Sequence, residues 1–286
     1  MIPQTFDYVR ARTVGDALKA LAAKDGAKVI AGGHSLIPIM RFRLAQPSLL
    51  VDIGHLPELR GIAEARRGAK IGAGTTYREL LESALLTERF PIIAECTSGI
   101  GDLQVRNKGT IGGGLAHADP AADLPAVMLA LDAQFVLRSK RGKRTVAARE
   151  FFQGSFSTAM AEDELMVEIV LPPPPRNAGM AYVSFEQAAS GYALAGAAAI
   201  VKRSRATVAE CALAMTGVSD RAYLVKAAEL LVGTKGEAEA VAKVAGHAAE
   251  GVEVNGDIHA PADYRRHLAT VAARQALEKA LERSKK

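Results

Sequence analysis

Thr110-Ile111-Gly112-Gly113-Gly114-Leu115-Ala116-His117-Ala118-Asp119-Pro120-Ala121-Ala122-Asp123-Leu124-Pro125 puts three consecutive glycines and three titratable side chains into one short run. Without β-carbons, Gly112, Gly113 and Gly114 let the backbone approach a ligand closely, so their amides are candidates for a phosphate cradle. The same run also reads as a plain turn between strands. His117, Asp119 and Asp123 add more polar chemistry than a turn requires, and Pro125 is suited to the first turn of a helix over 126–131.

A second glycine loop lies nearer the N-terminus, at Ala31-Gly32-Gly33-His34-Ser35. It follows apolar Val29-Ile30 and precedes Leu36-Ile37-Pro38-Ile39-Met40, a pattern of strand, turn and short helical segment. Two such loops suit a ligand that carries two phosphates. Neither is a dinucleotide fingerprint, since Gly72-Ala73-Gly74-Thr75-Thr76-Tyr77 lacks the third glycine of that motif. The residues alone point to a pyrophosphate compound bound by another route.

Ala31-Gly32-Gly33-His34-Ser35-Leu36, Thr110-Ile111-Gly112-Gly113, Ala118-Asp119-Pro120 and the opening Met1-Ile2-Pro3 with Phe6-Asp7-Tyr8 resemble one family nearly end to end. It is the FAD-binding medium subunit of aerobic, molybdenum-containing carbon monoxide dehydrogenases, within the xanthine oxidase family of molybdenum hydroxylases. The resemblance implies an α+β fold. A two-lobed FAD-binding domain of the vanillyl-alcohol oxidase (PCMH) type, lobes 1–60 and 61–176, precedes a smaller C-terminal α+β domain, 177–286.

The resemblance also implies site residues. Ala31, Gly32, Gly33, His34, Ser35 and Leu36, with Lys28 on the strand leading in, and Thr110, Ile111, Gly112, Gly113 and Gly114 would hold the FAD pyrophosphate. Asp123 would make a polar contact near the ribityl chain, Leu165 an apolar contact to the flavin, and Tyr192 would lie close to the isoalloxazine ring. Two departures stand out: Gly114 replaces a common Asn or Asp, and Gln187-Ala188-Ala189-Ser190-Gly191 replaces the usual basic pair and Gly-Asp before the tyrosine.

Implied too is an electron-transfer role with no catalytic residue on this chain. Substrate would be oxidised at a molybdenum cofactor on a large subunit. Electrons would then cross 2Fe–2S clusters of a small subunit, reach this FAD and leave for an external acceptor. The partners would form a heterotrimer, dimerised to a heterohexamer. The alternative is a self-sufficient flavoenzyme of the same fold, similar to UDP-N-acetylenolpyruvoylglucosamine reductase; it predicts a serine or cysteine acid near the ring, and no clear candidate is present.

Composition bounds these readings. The chain has 286 residues, 49% of them hydrophobic, a net charge of +5 and only two cysteines, Cys96 and Cys211. Iron–sulfur clusters need about four cysteine ligands, so the clusters must belong to another chain. No apolar run reaches the ~18 residues of a membrane span, and the N-terminus shows no basic segment followed by an apolar one, which predicts a soluble cytoplasmic protein; contact with a membrane acceptor would be peripheral. The basic run Lys140-Arg141-Gly142-Lys143-Arg144 reads first as a solvated turn, and no nucleic-acid partner is expected.

Local signals fill in the rest. Thr13-x-x-Asp16 and Thr76-x-x-Glu79 predict capped helices to about residues 24 and 86, and Pro91 opens another towards 98. Strands are expected at 28–31, 49–53, 70–73 and 165–171, with a hairpin around Arg141-Gly142. Residues 102–108 read as a polar turn whose Arg106 is placed to meet a phosphate or an acid, or equally to make a structural ion pair. Beyond the prolines at 172–175, strands are expected at 181–187, 193–201 and 208–216, and helices at 221–232, 237–249 and 263–281. Residues 284–286 read as a frayed tail. His34 admits a role as base or local packing. A metal site from His117, Asp119 and Asp123 has no established spacing.

Overall fold

A computed structural model describes residues 2–284. The N-terminal unit comprises β1 (Asp7–Arg10), α1 (Val14–Leu21), β2 (Ala27–Ile30), α2 (Leu36–Arg41) and β3 (Leu49–Asp52), its parallel strands ordered β1-β3-β2. Thr13 caps α1 by accepting from the Asp16 amide at 3.0 Å, and Val14, Ala17, Leu18 and Leu21 bury one face. That helix ends at Leu21, short of residue 24, and β1 gives no apolar signal because it is exposed along its length.

The middle unit runs through β4 (Ile62–Ala65), β5 (Gly68–Gly72), α3 (Tyr77–Leu81), α4 (Ala84–Arg89), α5 (Pro91–Gly99), α6 (Leu103–Lys108), α7 (Ile111–His117) and α8 (Leu124–Ala130). It continues with β6 (Gln134–Ser139), β7 (Gly142–Ala147), α9 (Ala148–Phe151), β8 (Phe152–Gly154), β9 (Ser157–Thr158) and β10 (Leu165–Leu171). Its main sheet is antiparallel, ordered β4-β5-β10-β6-β7, and β6 and β7 form the expected hairpin. The full capping box at Thr76 and Glu79 starts α3, but Ser83 recaps the chain, so one expected helix becomes α3 and α4. Asp102 accepts from the Val105 amide at 2.7 Å, which turns the expected polar loop into α6.

The C-terminal sheet is β11 (Ala178–Glu186), β12 (Ala193–Ser204), β13 (Thr207–Thr216) and β14 (Tyr223–Leu224), with α10 (Ala238–Gly246) and α11 (Ala262–Arg283) against it. Side chains alternate strictly. Met180, Tyr182, Ala198, Ile200 and Ala214 join the core of the middle unit, while Ala181, Val183, Ala197, Ala199 and Leu213 pack on α10 and α11. Both faces are therefore buried. Small residues let α11 settle close: a Cβ on Gly179 would collide with the Ala280 backbone.

Residues 221–232 do not form the expected helix; they become β14 and a 3-10 turn, Lys226–Leu231. Pairing with β13 at Ala214 and Met215 takes the strand residues. Ser284 is not frayed, because its hydroxyl donates to Leu281 and accepts from Arg203. The remainder of that expected tail, 285–286, lies outside the described residues.

Candidate cofactor site

The first glycine loop leaves β2 at Ile30 and enters α2 at Leu36. Gly33 adopts φ +75°, which a side chain would strain, and a Cβ on Gly32 would collide with the Lys108 carbonyl. The amides of Gly32, Gly33, His34, Ser35 and Leu36 have no acceptor among the described residues, and the first to bond is Ile37, 3.0 Å from the Gly33 carbonyl. Ser35 makes no side-chain cap. Exposed His34 places Nδ1 2.9 Å from the Gly32 carbonyl, and Lys28 stands exposed on β2. The loop is a run of donors left without a partner among the described residues.

The second run is built differently from its sequence reading. Thr110 caps α7 by accepting from the Gly113 amide at 3.2 Å. The amides of Ile111, Gly112 and Gly114 bond the carbonyls of Thr75, Ala73 and Thr110 at 3.0, 2.8 and 3.0 Å. Residues 111–114 thus have no free amides for an anion; the run of three glycines, poor helix formers, concealed a capped helical turn. What they supply is approach. A Cβ on Gly112 would sit 2.5 Å from that of Ala73, one on Gly114 would strike the Tyr77 hydroxyl, and Gly113 is exposed without a side chain. Arg106 makes no ion pair among the described residues; it donates to the carbonyls of Ile100 and Gly101 at 3.0 and 2.7 Å.

After α7 the chain passes through the 119–123 loop, gripped by the C-terminal sheet. Thr216 Oγ1 donates to the carbonyls of Pro120 and Ala122 at 3.0 and 2.6 Å. The Gly217 amide donates to Pro120 at 2.9 Å and the Ala193 amide to Ala121 at 3.3 Å. The Tyr182 phenol donates to Asp123 Oδ1 at 2.5 Å, and Ser184 lies 3.4 Å from the same oxygen. Asp123 is only 8% exposed, and burial pushes its carboxyl up to about 6; Glu186 adds to the rise, Tyr182 and Ser184 oppose it.

His117, Asp119 and Asp123 do separate work. His117, its basicity reduced by burial, packs its ring 5.0 Å from that of Phe156, and Asp119 accepts from the Ala121 amide at 2.9 Å. No group of three such side chains among the described residues is placed to hold a metal. Tyr192 is half-exposed on a turn rather than in a strand. Burial and the charges of Asp119 and Asp123 raise its phenol, which places it beside that loop. The unusual sequence before it braces itself: the Gln187 amide donates to the Tyr192 carbonyl at 2.9 Å, and Gln187 Oε1 accepts from the Ser190 amide at 2.6 Å. Leu165 is buried with Val51, Ile53, Leu56 and Leu59.

Residues 4–174 match the family described as FAD binding domain in molybdopterin dehydrogenase, and residues 180–280 match the CO dehydrogenase flavoprotein C-terminal domain. The chain belongs to the FAD-binding family of molybdopterin dehydrogenases. It is 40% identical to the carbon monoxide dehydrogenase medium chain of Afipia carboxidovorans, over 100% of both chains. Identity to the 6-hydroxypseudooxynicotine dehydrogenase complex subunit alpha of Paenarthrobacter nicotinovorans is 37%, over 100% of this chain and 97% of that one. A chain of the carbon monoxide dehydrogenase from Hydrogenophaga pseudoflava which lacks the Mo-pyranopterin moiety superposes with a TM-score of 0.96 at 41% identity, covering 99% of each.

As a molybdopterin dehydrogenase flavoprotein, the chain binds FAD and is a subunit of an oxidoreductase. The α+β architecture expected from the sequence, an FAD-binding domain followed by a C-terminal one, is the one found. The self-sufficient flavoenzyme is not the reading these relatives favour. The residues fit the cofactor: five unpaired amides in one loop, 32–36, are the donor set a pyrophosphate needs. Among the described residues no helix is long and apolar enough to cross a membrane. Tyr77, Tyr182, Ser184 and Thr216 were missed in the sequence; the strand alternation signals Tyr182 and Thr216 as inward-facing, but not the loop they hold.

Proposed function

We propose that this chain is the electron relay of a three-subunit molybdenum hydroxylase resembling aerobic carbon monoxide dehydrogenase. The observation that carries the reading is the run of unpaired amides at 32–36 seated against the second glycine motif through Gly32 and Lys108. When bound, FAD supplies the redox chemistry, between 2Fe–2S clusters on a small subunit and an external acceptor. This chain's own residues bind and orient it.

In this reading the amides of Gly32, Gly33, His34, Ser35 and Leu36 neutralise the pyrophosphate, with Ala31 and Lys28 on the approach. Thr110, Ile111, Gly112, Gly113 and Gly114 line the opposite wall, which their missing side chains leave open. Asp123 accepts from the ribityl hydroxyls, Tyr192 flanks the flavin ring, and Leu165 backs the pocket from the N-terminal core. Lobes 1–60 and 61–176 form the binding half and 177–286 the C-terminal domain. A large molybdenum subunit completes a heterotrimer that pairs to a heterohexamer in the cytoplasm, where peripheral contact with a membrane acceptor is open to it. The substrate belongs to the large subunit, in keeping with relatives of 40% and 37% identity that carry different substrate names.

Absorbance and metal analysis of the chain purified alone and from its native complex test this. Flavin on the chain, with iron and molybdenum only in the complex, is expected. Substrate turnover by the isolated chain would overturn the relay.

A further inference from the structure

Asp123 sits where the middle unit meets the C-terminal sheet, and the groups facing it are Tyr182, Ser184 and Glu186 from β11, Cys96 from α5, Tyr77 from α3 and Tyr192 from the 187–192 turn. None is a cation. Oδ1 takes the Tyr182 phenol at 2.5 Å, whereas no other described residue donates to Oδ2, and the one backbone donor to the carboxylate is Asp123's own amide. The phenol is itself held: Tyr182 is buried, its amide donates to Glu95 Oε2 at 3.0 Å, and β12 makes room for its hydroxyl at Gly196, where a Cβ would strike it. A short hydrogen bond to a charged acceptor, made from a side chain with no freedom to turn, fixes the acceptor's orientation.

We propose that Tyr182 is a positioning residue of the flavin site, fixing the Asp123 carboxylate so that its second oxygen remains available to the cofactor's ribityl hydroxyls. This rests on the reading of Asp123 as a cofactor contact. The phenol does a second job by the same bond. Burial, helped by Glu186, pushes Asp123 towards the neutral acid, and Tyr182 is the strongest group opposing it. Without that donor the carboxyl protonates at higher pH, and a protonated carboxyl is a poorer acceptor.

The test is FAD affinity against pH for the full chain, by flavin fluorescence, with Tyr182→Phe, Asp123→Asn and the double variant. In the unchanged chain affinity falls as pH drops through the Asp123 titration. Tyr182→Phe moves that fall upward by about one to two pH units and weakens binding about ten-fold at neutral pH. Asp123→Asn binds weakly with a flat profile, and Tyr182→Phe added to it shifts nothing further. Gly196→Ala, which crowds the phenol without removing it, moves the profile in the same direction as Tyr182→Phe and serves if that variant does not fold. A Tyr182→Phe profile identical to that of the unchanged chain, at whatever thermal stability, overturns the role of Tyr182 alone. Undiminished FAD binding by Asp123→Asn overturns the contact at Asp123 and Tyr182's role with it.

Discussion

Gly32 and Lys108 touch so closely that a Cβ on Gly32 would overlap the Lys108 carbonyl, and this contact joins the two glycine motifs into one surface. Gly32→Ala must therefore push the 31–36 loop away from the 109–114 stretch. We expect FAD affinity to fall at least ten-fold, measured by equilibrium dialysis, with a modest drop in Tm. Gly33→Ala, at φ +75°, costs about 1 kcal/mol through backbone strain and displaces the same amides.

Tyr77 explains why position 114 is glycine. The phenol stands where the β-carbon of residue 114 would lie, and its Cζ would be 3.6 Å from that carbon, an ordinary contact once the hydroxyl is gone. Gly114→Asn alone should destabilise the chain by about 1–3 kcal/mol, from overpacking. Combined with Tyr77→Phe it should recover most of that loss in chemical denaturation. Additive losses would show that the two positions are not coupled.

Stability should also depend on Asp123 in a direction unusual for an acid. Its folded value of about 6 lies above the ordinary carboxylate value of 3.8, so its contribution is full in acid and is lost as pH rises through about 6. Asp123→Asn should therefore stabilise the FAD-free chain at neutral pH by up to about 3 kcal/mol while weakening FAD binding. Thermal melts of both proteins without cofactor, at acid and neutral pH, measure it; the gap should close in acid.

Glu95 behaves oppositely. Burial raises its carboxyl, but Arg283 at 2.7 and 2.9 Å, the Tyr182 amide and Lys279 outweigh burial and leave it below the usual value. The stabilisation is present above the unfolded carboxylate range and is lost as pH falls below it. Arg283→Ala should cost about 1 kcal/mol at neutral pH, screened because the pair is partly exposed, and flatten the acid limb of the stability curve.

Cys96 and Cys211 are held as thiols by burial, Cys211 pushed up to about 12. A thiol reagent should spare Cys96 in the native chain at neutral pH and react only slowly with half-buried Cys211, whereas both label after denaturation. Rapid native labelling of Cys96 would contradict its burial.

Local chemistry was the legible part. Thr76 with Glu79, Pro91, the turn at Arg141-Gly142 and the apolar run of β10 each declare themselves within a few residues; the capping box, the Pro91 helix, the hairpin and β10 all form, though the helix that the box starts ends early, at Leu81. The failures have two causes: Asp102 and Thr110 start short helices that only their caps betray, while 221–232 follows its tertiary partner β13 instead of its own helical pattern. At the site, glycine placement was readable because it reflects close approach. Which amides are free was not, because Ala73 and Thr75, which occupy those of the second motif, are known only from the fold. Tyr182 was hidden for the same reason, 59 residues from Asp123.

The hold of Thr216 on Pro120 and Ala122 spans 96 and 94 residues of chain. A ribosome delivers the glycine motifs and the 119–123 loop well before the strand that grips them. The nascent binding half therefore leaves the ribosome with its loop unfastened, and the pocket acquires its final shape only after the last strands pair. A chain interrupted at the prolines 172–175 would keep every glycine of the site yet lose the hands that hold its loop.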